Sequence, residues 1–114
     1  MSLDELIQRV SAASGDPEVQ RFSKLLRDWK LDDASVDQLL ESAEQCLGRD
    51  GVRSASDHER VGALWREFRE AAIVPLAGTT MNERLFWFSL MPQFDESETD
   101  DDRSRLYAKL LASP

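Results

Sequence analysis

Four times along this 114-residue chain a small hydroxyl residue is followed three places later by Glu or Gln, ahead of an apolar pattern of helical period: Ser2 with Glu5, Ser35 with Gln38, Ser56 with Glu59 and Thr80 with Glu83. At that spacing the hydroxyl accepts from the backbone N–H three residues on. The acid or amide reaches back to the N–H of the hydroxyl residue, so two orphan donors of a helix start are satisfied together. Residues that favour strands are few, with six Val, two Ile and three Thr in the whole chain, and no segment alternates strictly between apolar and polar. The sequence therefore predicts an all-α fold, a single compact bundle of five or six short helices forming one domain over residues 1–114.

The apolar spacings place those helices. Leu3, Leu6, Ile7 and Val10 follow Ser2 at three-four spacing, and the pattern ends near Ser14-Gly15. Asp16 caps a second helix with Pro17 at its first position, and its stripe is Val19, Phe22, Leu26 and Trp29. A third runs from about Val36 to Leu47 with Gly48 as its stop. Gly48 to Ser56 reads as a loop, and a fourth helix from about Asp57 to Val74 buries Val61, Leu64, Trp65 and Phe68 before Pro75 ends it. A fifth occupies roughly Met81 to Met91 and stops before Pro92, and a last one begins near Thr99 or Asp100, with Lys109 close to its end.

Charge narrows the function. Twenty-two acids against 14 bases give a net charge of −8, which argues against direct nucleic-acid binding and against anionic membrane surfaces, since both need a dense basic face. No apolar run reaches the length of a spanning helix, and the amino terminus has acids where a signal peptide carries bases, so a cytoplasmic protein is expected. Cys46 and His58 are the single cysteine and the single histidine, and they read as a buried small thiol and an exposed first-turn residue. With no nucleophile elbow, phosphate-cradling glycine loop or metal-ligand spacing, the expectation is that the chain is not an enzyme and uses no metal and no cofactor.

Three features bear on recognition. Asp95, Glu96, Glu98, Asp100, Asp101 and Asp102 place six acids in eight positions, which suits both a helix start and a basic partner. Asp32, Asp33, Asp37, Glu41 and Glu44 form a second acidic surface, which the bases Arg21, Lys24, Arg27 and Lys30 of the preceding helix can neutralise in an antiparallel hairpin. The segment from Leu85 to Met91 is apolar all round. Such a helix is either central or presents one side to another molecule. The expected division turns Leu85 and Phe88 inward and leaves Phe86 or Trp87, with Leu90, near the surface. Phe86, Trp87, Leu90 and Phe94 would then be the apolar centre, and the six acids the rim, of a site for a basic protein.

The stretch TTMNERLFWFSLMPQFDE, residues 79–96, resembles a segment of small uncharacterised bacterial helical proteins. That resemblance implies a bacterial, helical, cytosolic protein. In size, acidity and helicity the whole chain resembles bacterial immunity proteins. The expected function is a small acidic protein-binding module, an immunity or antitoxin-like inhibitor that neutralises a basic toxin or enzyme. Two alternatives use the same features: a homodimeric structural or adaptor protein pairing through helix 81–91, and a DNA-mimicking inhibitor.

Overall fold

A computed structural model describes residues 1–49 and 55–113. It contains seven α-helices among those residues: α1 (Leu3–Ala13), α2 (Pro17–Leu31), α3 (Val36–Arg49), α4 (Ala55–Phe68), α5 (Met81–Trp87), α6 (Met91–Asp95) and α7 (Asp100–Lys109). No strand is present among the described residues, so the all-α expectation holds. A five-residue π-helical turn, Arg69–Ile73, prolongs α4, and a 3-10 turn, Leu76–Gly78, follows Pro75. The expected loop 48–56 lies mainly outside the described residues.

The capping reading holds at three of the four starts. Ser2 and Glu5, Ser35 and Gln38, and Thr80 and Glu83 each exchange both bonds of the box. Ser56 instead lies inside α4, which begins at Ala55. The third helix runs through Gly48 to Arg49 rather than stopping at the glycine. Nothing meets a Cβ placed at Gly48, so the position carries no steric demand for glycine.

The larger difference falls in the aromatic segment, where the structure has two helices in place of one. A helix continuous through Pro92 would lose a ladder bond and push the proline ring into the carbonyl of Phe88. The chain avoids this by ending α5 at Trp87, four residues early, and placing Pro92 in the first turn of α6, where the missing N–H costs nothing. The end is a Schellman turn: Ser89 sits at φ 56°, Leu90 N–H donates to Leu85 O at 2.9 Å, and Ser89 N–H donates to Phe86 O at 3.2 Å. α7 ends in the same way on Leu111, also at φ 56°, with Ala112 N–H to Tyr107 O at 2.8 Å and Leu111 N–H to Ala108 O at 3.1 Å. A leucine in the left-handed region carries a Cβ clash that glycine lacks. Leu111→Gly is therefore expected to stabilise the fold by about 0.5–1 kcal/mol, read as a higher urea midpoint at unchanged slope.

The stripes of α1 and α2 pack on each other and on α4. Leu3, Leu6, Val10, Val19 and Leu26 are completely buried. Aromatic rings link the layers: Phe22 meets Trp65 edge-on at 6.0 Å, Trp65 meets Phe68 at 6.0 Å, and Phe88 touches both Phe68 and Trp29 at 5.5 Å. The helix ends left open by this packing are closed by side chains from elsewhere. Gln20 Nε2 donates to Ser11 O and Ser14 O at 3.0 and 2.7 Å, and Arg60 donates to Ala13 O at 3.1 Å, closing α1. Arg84, nearly buried, donates to Leu110 O and Leu111 O at 3.0 and 2.8 Å, closing α7, and to Thr79 Oγ1 at 3.1 Å. Lys109 closes α2 by donating to the carbonyls of Trp29, Asp32 and Ala34. The sequence reading assigned Lys109 to the dipole of its own helix; its ammonium instead serves the end of another.

Candidate functional site

Lys30 and Gln93 are the point where three surface grooves meet. Both side chains line all three. Gln93 Nε2 donates to Lys30 O at 3.2 Å, tying the start of α6 to the end of α2. Lys30 Nζ pairs with Asp4 Oδ1 at 2.6 Å, and Asp4 N–H donates to Ser89 Oγ at 3.0 Å, which adds the start of α1 and the α5–α6 corner to the same junction. Four elements are thereby fixed around one point by a short chain of hydrogen bonds.

The first groove, about 580 Å³, is a furrow between α1 and α2 lined by Ile7, Gln8, Ser11, Arg27 and Leu31. The second, about 320 Å³, is a polar notch between the α2–α3 corner and the α6–α7 pair, with Asp33, Glu96, Asp102 and Arg105 in its wall. The third, about 330 Å³, lies beneath Phe86 and includes Ser2, Leu85, Met91 and Pro92. Two large apolar side chains stand in water at this junction: Leu31, 82% exposed, and Phe86, 59% exposed. Scattered exposed apolar residues are ordinary, but two flanking adjoining grooves mark a surface suited to contact.

The residues expected from sequence divide here. Phe86 is at the surface as expected, and Trp87 is half-buried and stands edge-on against it, with ring centroids 5.5 Å apart. Leu90 was expected near the surface and is completely buried. In one continuous helix it would share the outer face of Phe86; the Schellman turn at Ser89 rotates it inward beside Leu85. Phe94 is half-buried and joins α6 to α7 through an edge-on contact with Tyr107 at 6.0 Å. Asp95, Glu96, Glu98, Asp100, Asp101 and Asp102 are all exposed. Of these six, only Glu96 and Asp102 line the grooves described. Asp100, Asp101 and Asp102 form the first turn of α7, where Thr99 Oγ1 accepts from Asp102 N–H at 3.1 Å and Asp100 pairs with Arg103 at 3.7 Å, and Asp95 ends α6.

The expected charge pairing between α2 and α3 does not form among the described residues. Arg21 and Lys24 pair within α2, with Glu18 at 3.0 Å and Asp28 at 2.9 Å, while Lys30 turns to α1. Glu44 pairs with Arg69 at 2.6 Å, and Asp32 with Lys109 at 3.2 Å. Asp33, Glu96 and Asp102 make no ion pair among the described residues and face the notch together.

Sequence reasoning missed Leu31, although a signal was there. It lies two positions beyond Trp29, off the Val19–Phe22–Leu26–Trp29 stripe, so a helical wheel turns it away from the core. Gln93 and Lys30 had no such signal, because only the corner at Ser89 brings them together.

Chemistry at Cys46 and His58 has little support in this geometry. Burial pushes the half-buried Cys46 thiol above its usual range, and the nearby Glu18 carboxylate adds to that, so thiolate is disfavoured. His58 is exposed in the first turn of α4. Among the described residues no group of three or more His, Cys, Asp or Glu side chains is placed to hold a metal ion, and no helix is long and apolar enough to cross a membrane. No family model, curated protein or solved structure matches the chain.

Proposed function

We propose that this chain is a protein-binding module that neutralises a basic partner protein in the cytoplasm, in the manner of an immunity or antitoxin-like inhibitor, without catalysis of its own. The observation that carries the reading is the junction at Lys30 and Gln93, where exposed Leu31 and Phe86 flank a notch walled by the unpaired carboxylates Asp33, Glu96 and Asp102. An acidic field, from a net charge of −8, steers a basic surface to the encounter, and Phe86 with its edge-on neighbour Trp87 supplies desolvated contact that slows release. The same charge opposes close approach of a second copy, which disfavours the homodimer at low salt.

Affinity capture from the native lysate, with parallel washes at about 50 and 500 mM salt, tests the reading. A basic protein held near one-to-one, weakened by salt and lost with Phe86→Ser, is expected. Recovery of the bait alone, with a dimer mass in solution, would move the assignment to self-association. For the captured partner, Asp100→Lys, Asp101→Lys and Asp102→Lys together are expected to slow association about 10–100-fold at low salt, with little change in dissociation. Stopped-flow rates that match the parent chain would remove this acidic segment from the encounter.

A further inference from the structure

The furrow between α1 and α2 has the form of a missing helix position. On α1 its wall is Asp4, Ile7, Gln8 and Ser11, and on α2 it is Arg27, Lys30 and Leu31, each set at three-four spacing along one side of its helix. The two helices are joined by the short connection Ser14–Asp16 and run antiparallel, as the Lys30–Asp4 and Ser11–Ser23 contacts at their opposite ends require. One side of this hairpin is covered by α4, through the Phe22–Trp65 contact. The other side is bounded by Gln93 of α6 at the Asp4–Lys30 end, and its α1 wall runs from Asp4 to Ser11, about 10 Å at the helical rise, or two turns. Parallel ridges on adjacent helices leave a valley whose natural filling is a third helix.

Resting on the protein-binding reading above, we propose that this furrow receives one amphipathic α-helix of the partner, its apolar ridge against Ile7 and Leu31 and its lysines or arginines at the end that meets the notch. An extended peptide is the poorer occupant, because the walls are helices whose backbone groups are already bonded and no sheet edge is on offer. A helix brings its own backbone bonds and needs only side-chain contact. Charge fixes its direction. Lys30 is neutralised by Asp4 and Lys109 by Asp32, so among the described residues the notch adjoining Leu31 is left with the carboxylates of Asp33, Glu96 and Asp102 against the base Arg105. At the other end Arg27, whose guanidinium donates to the Ser23 hydroxyl at 3.4 Å and makes no ion pair among the described residues, leaves a positive charge. The complementary helix is therefore basic at the notch end and neutral or acidic at the Arg27 end.

The probe is a 14-residue Leu/Ala/Gln helical peptide with three lysines in its last turn. Its control has the same composition with the leucine period scrambled. Each is titrated into the full 15N-labelled chain. The expected result is saturable shifts at Ile7, Gln8, Ser11, Arg27 and Leu31 with the amphipathic peptide only. Leu31→Asp, at a position exposed enough to leave the fold intact, should weaken binding about tenfold or more, and Asp33→Asn with Glu96→Gln and Asp102→Asn several-fold. Equal binding of the scrambled peptide, with shifts confined to residues 95–102, would overturn the furrow and leave the charge-based reading standing. No binding by either cationic peptide would overturn both. Shifts at the furrow that grow with protein concentration alone would overturn the proposal in favour of a second copy.

Discussion

Replacing Phe88 by alanine is expected to destabilise the fold by about 3–5 kcal/mol, while the same truncation at Phe86 costs less than about 1 kcal/mol. The two residues are the same type, two positions apart in one apolar run, and the difference comes from the helical period, which turns Phe88 inward with Leu85 and leaves Phe86 on the opposite side. Phe88 is completely buried and caps α5, with its ring against Phe68 at 5.5 Å and Trp29 at 5.5 Å. Among the described residues it is the ring that joins the Phe22–Trp65–Phe68 set on α2 and α4 to Trp29 near the end of α2. Removing it leaves a cavity bounded by three helices whose backbones are held by capping bonds and cannot collapse freely into it. Phe86 is 59% exposed and touches mainly Trp87, so its loss forfeits little burial. Urea unfolding of both variants at pH 7 reads the contrast directly. Equal losses, or a larger one at Phe86, would mean that the inward and outward faces of α5 are exchanged, and the binding role proposed for Phe86 would go with them.

That contrast also marks how far the sequence could be read. Helix type and three of the helix starts followed from caps and spacing because they are local: Ser2, Ser35 and Thr80 each form the box their spacing predicts, while the expected five or six helices fell short of the seven described because the aromatic segment divides in two. Leu3, Phe22, Val61 and Leu110 sit in the core, as apolar residues on periodic stripes should. The misplacement of Leu90 was decided by one backbone corner. A left-handed Ser89 is not written in residue type, since glycine or asparagine is the usual occupant, so Leu90 was assigned to the wrong side of the chain. The candidate site was partly legible for the same reason. Phe86, Glu96 and Asp102 were identified as surface groups, whereas Lys30, Gln93 and Leu31 join them only through tertiary contacts with sequence separations of dozens of residues. Arg84 and Lys109 were invisible as structural groups, because long cationic side chains are ordinarily solvated and nothing local shows that a helix end elsewhere needs a donor.

Lys109 supplies the second large effect. Its ammonium is almost completely buried, lies over the Trp29 ring at 3.9 Å, and donates to Asp32 O at 2.7 Å, Ala34 O at 2.9 Å, Asp32 Oδ1 at 3.2 Å and the carbonyl of Trp29. Lys109→Met keeps the length and apolar stem while removing every donor. It leaves three carbonyls at the α2–α3 corner without their partner, a loss expected to cost about 2–3 kcal/mol at neutral pH. The corner also sets Leu31, Asp32 and Asp33 at the notch, so the variant is expected to weaken partner binding more than the conservative Asp33→Asn alone. The pH dependence separates this role from simple packing. Burial pushes the Lys109 ammonium below its ordinary value of 10.5, and the Asp32 hydrogen bond and charge offset that only in part. The unfolded chain keeps the proton up to about 10.5, whereas the native chain releases it earlier, so between the two the unfolded state binds more protons and stability contributed by this group rises with pH. Methionine has no proton to release, and all other groups are common to both proteins. The stability difference between the parent chain and Lys109→Met is therefore expected to stay flat near neutrality and widen as pH approaches 10.5. A constant gap over that range, measured by urea unfolding at each pH, would place Lys109 in the fold as an apolar stem alone, and a narrowing one would mean that its bonds to the α2–α3 corner outweigh the cost of burial.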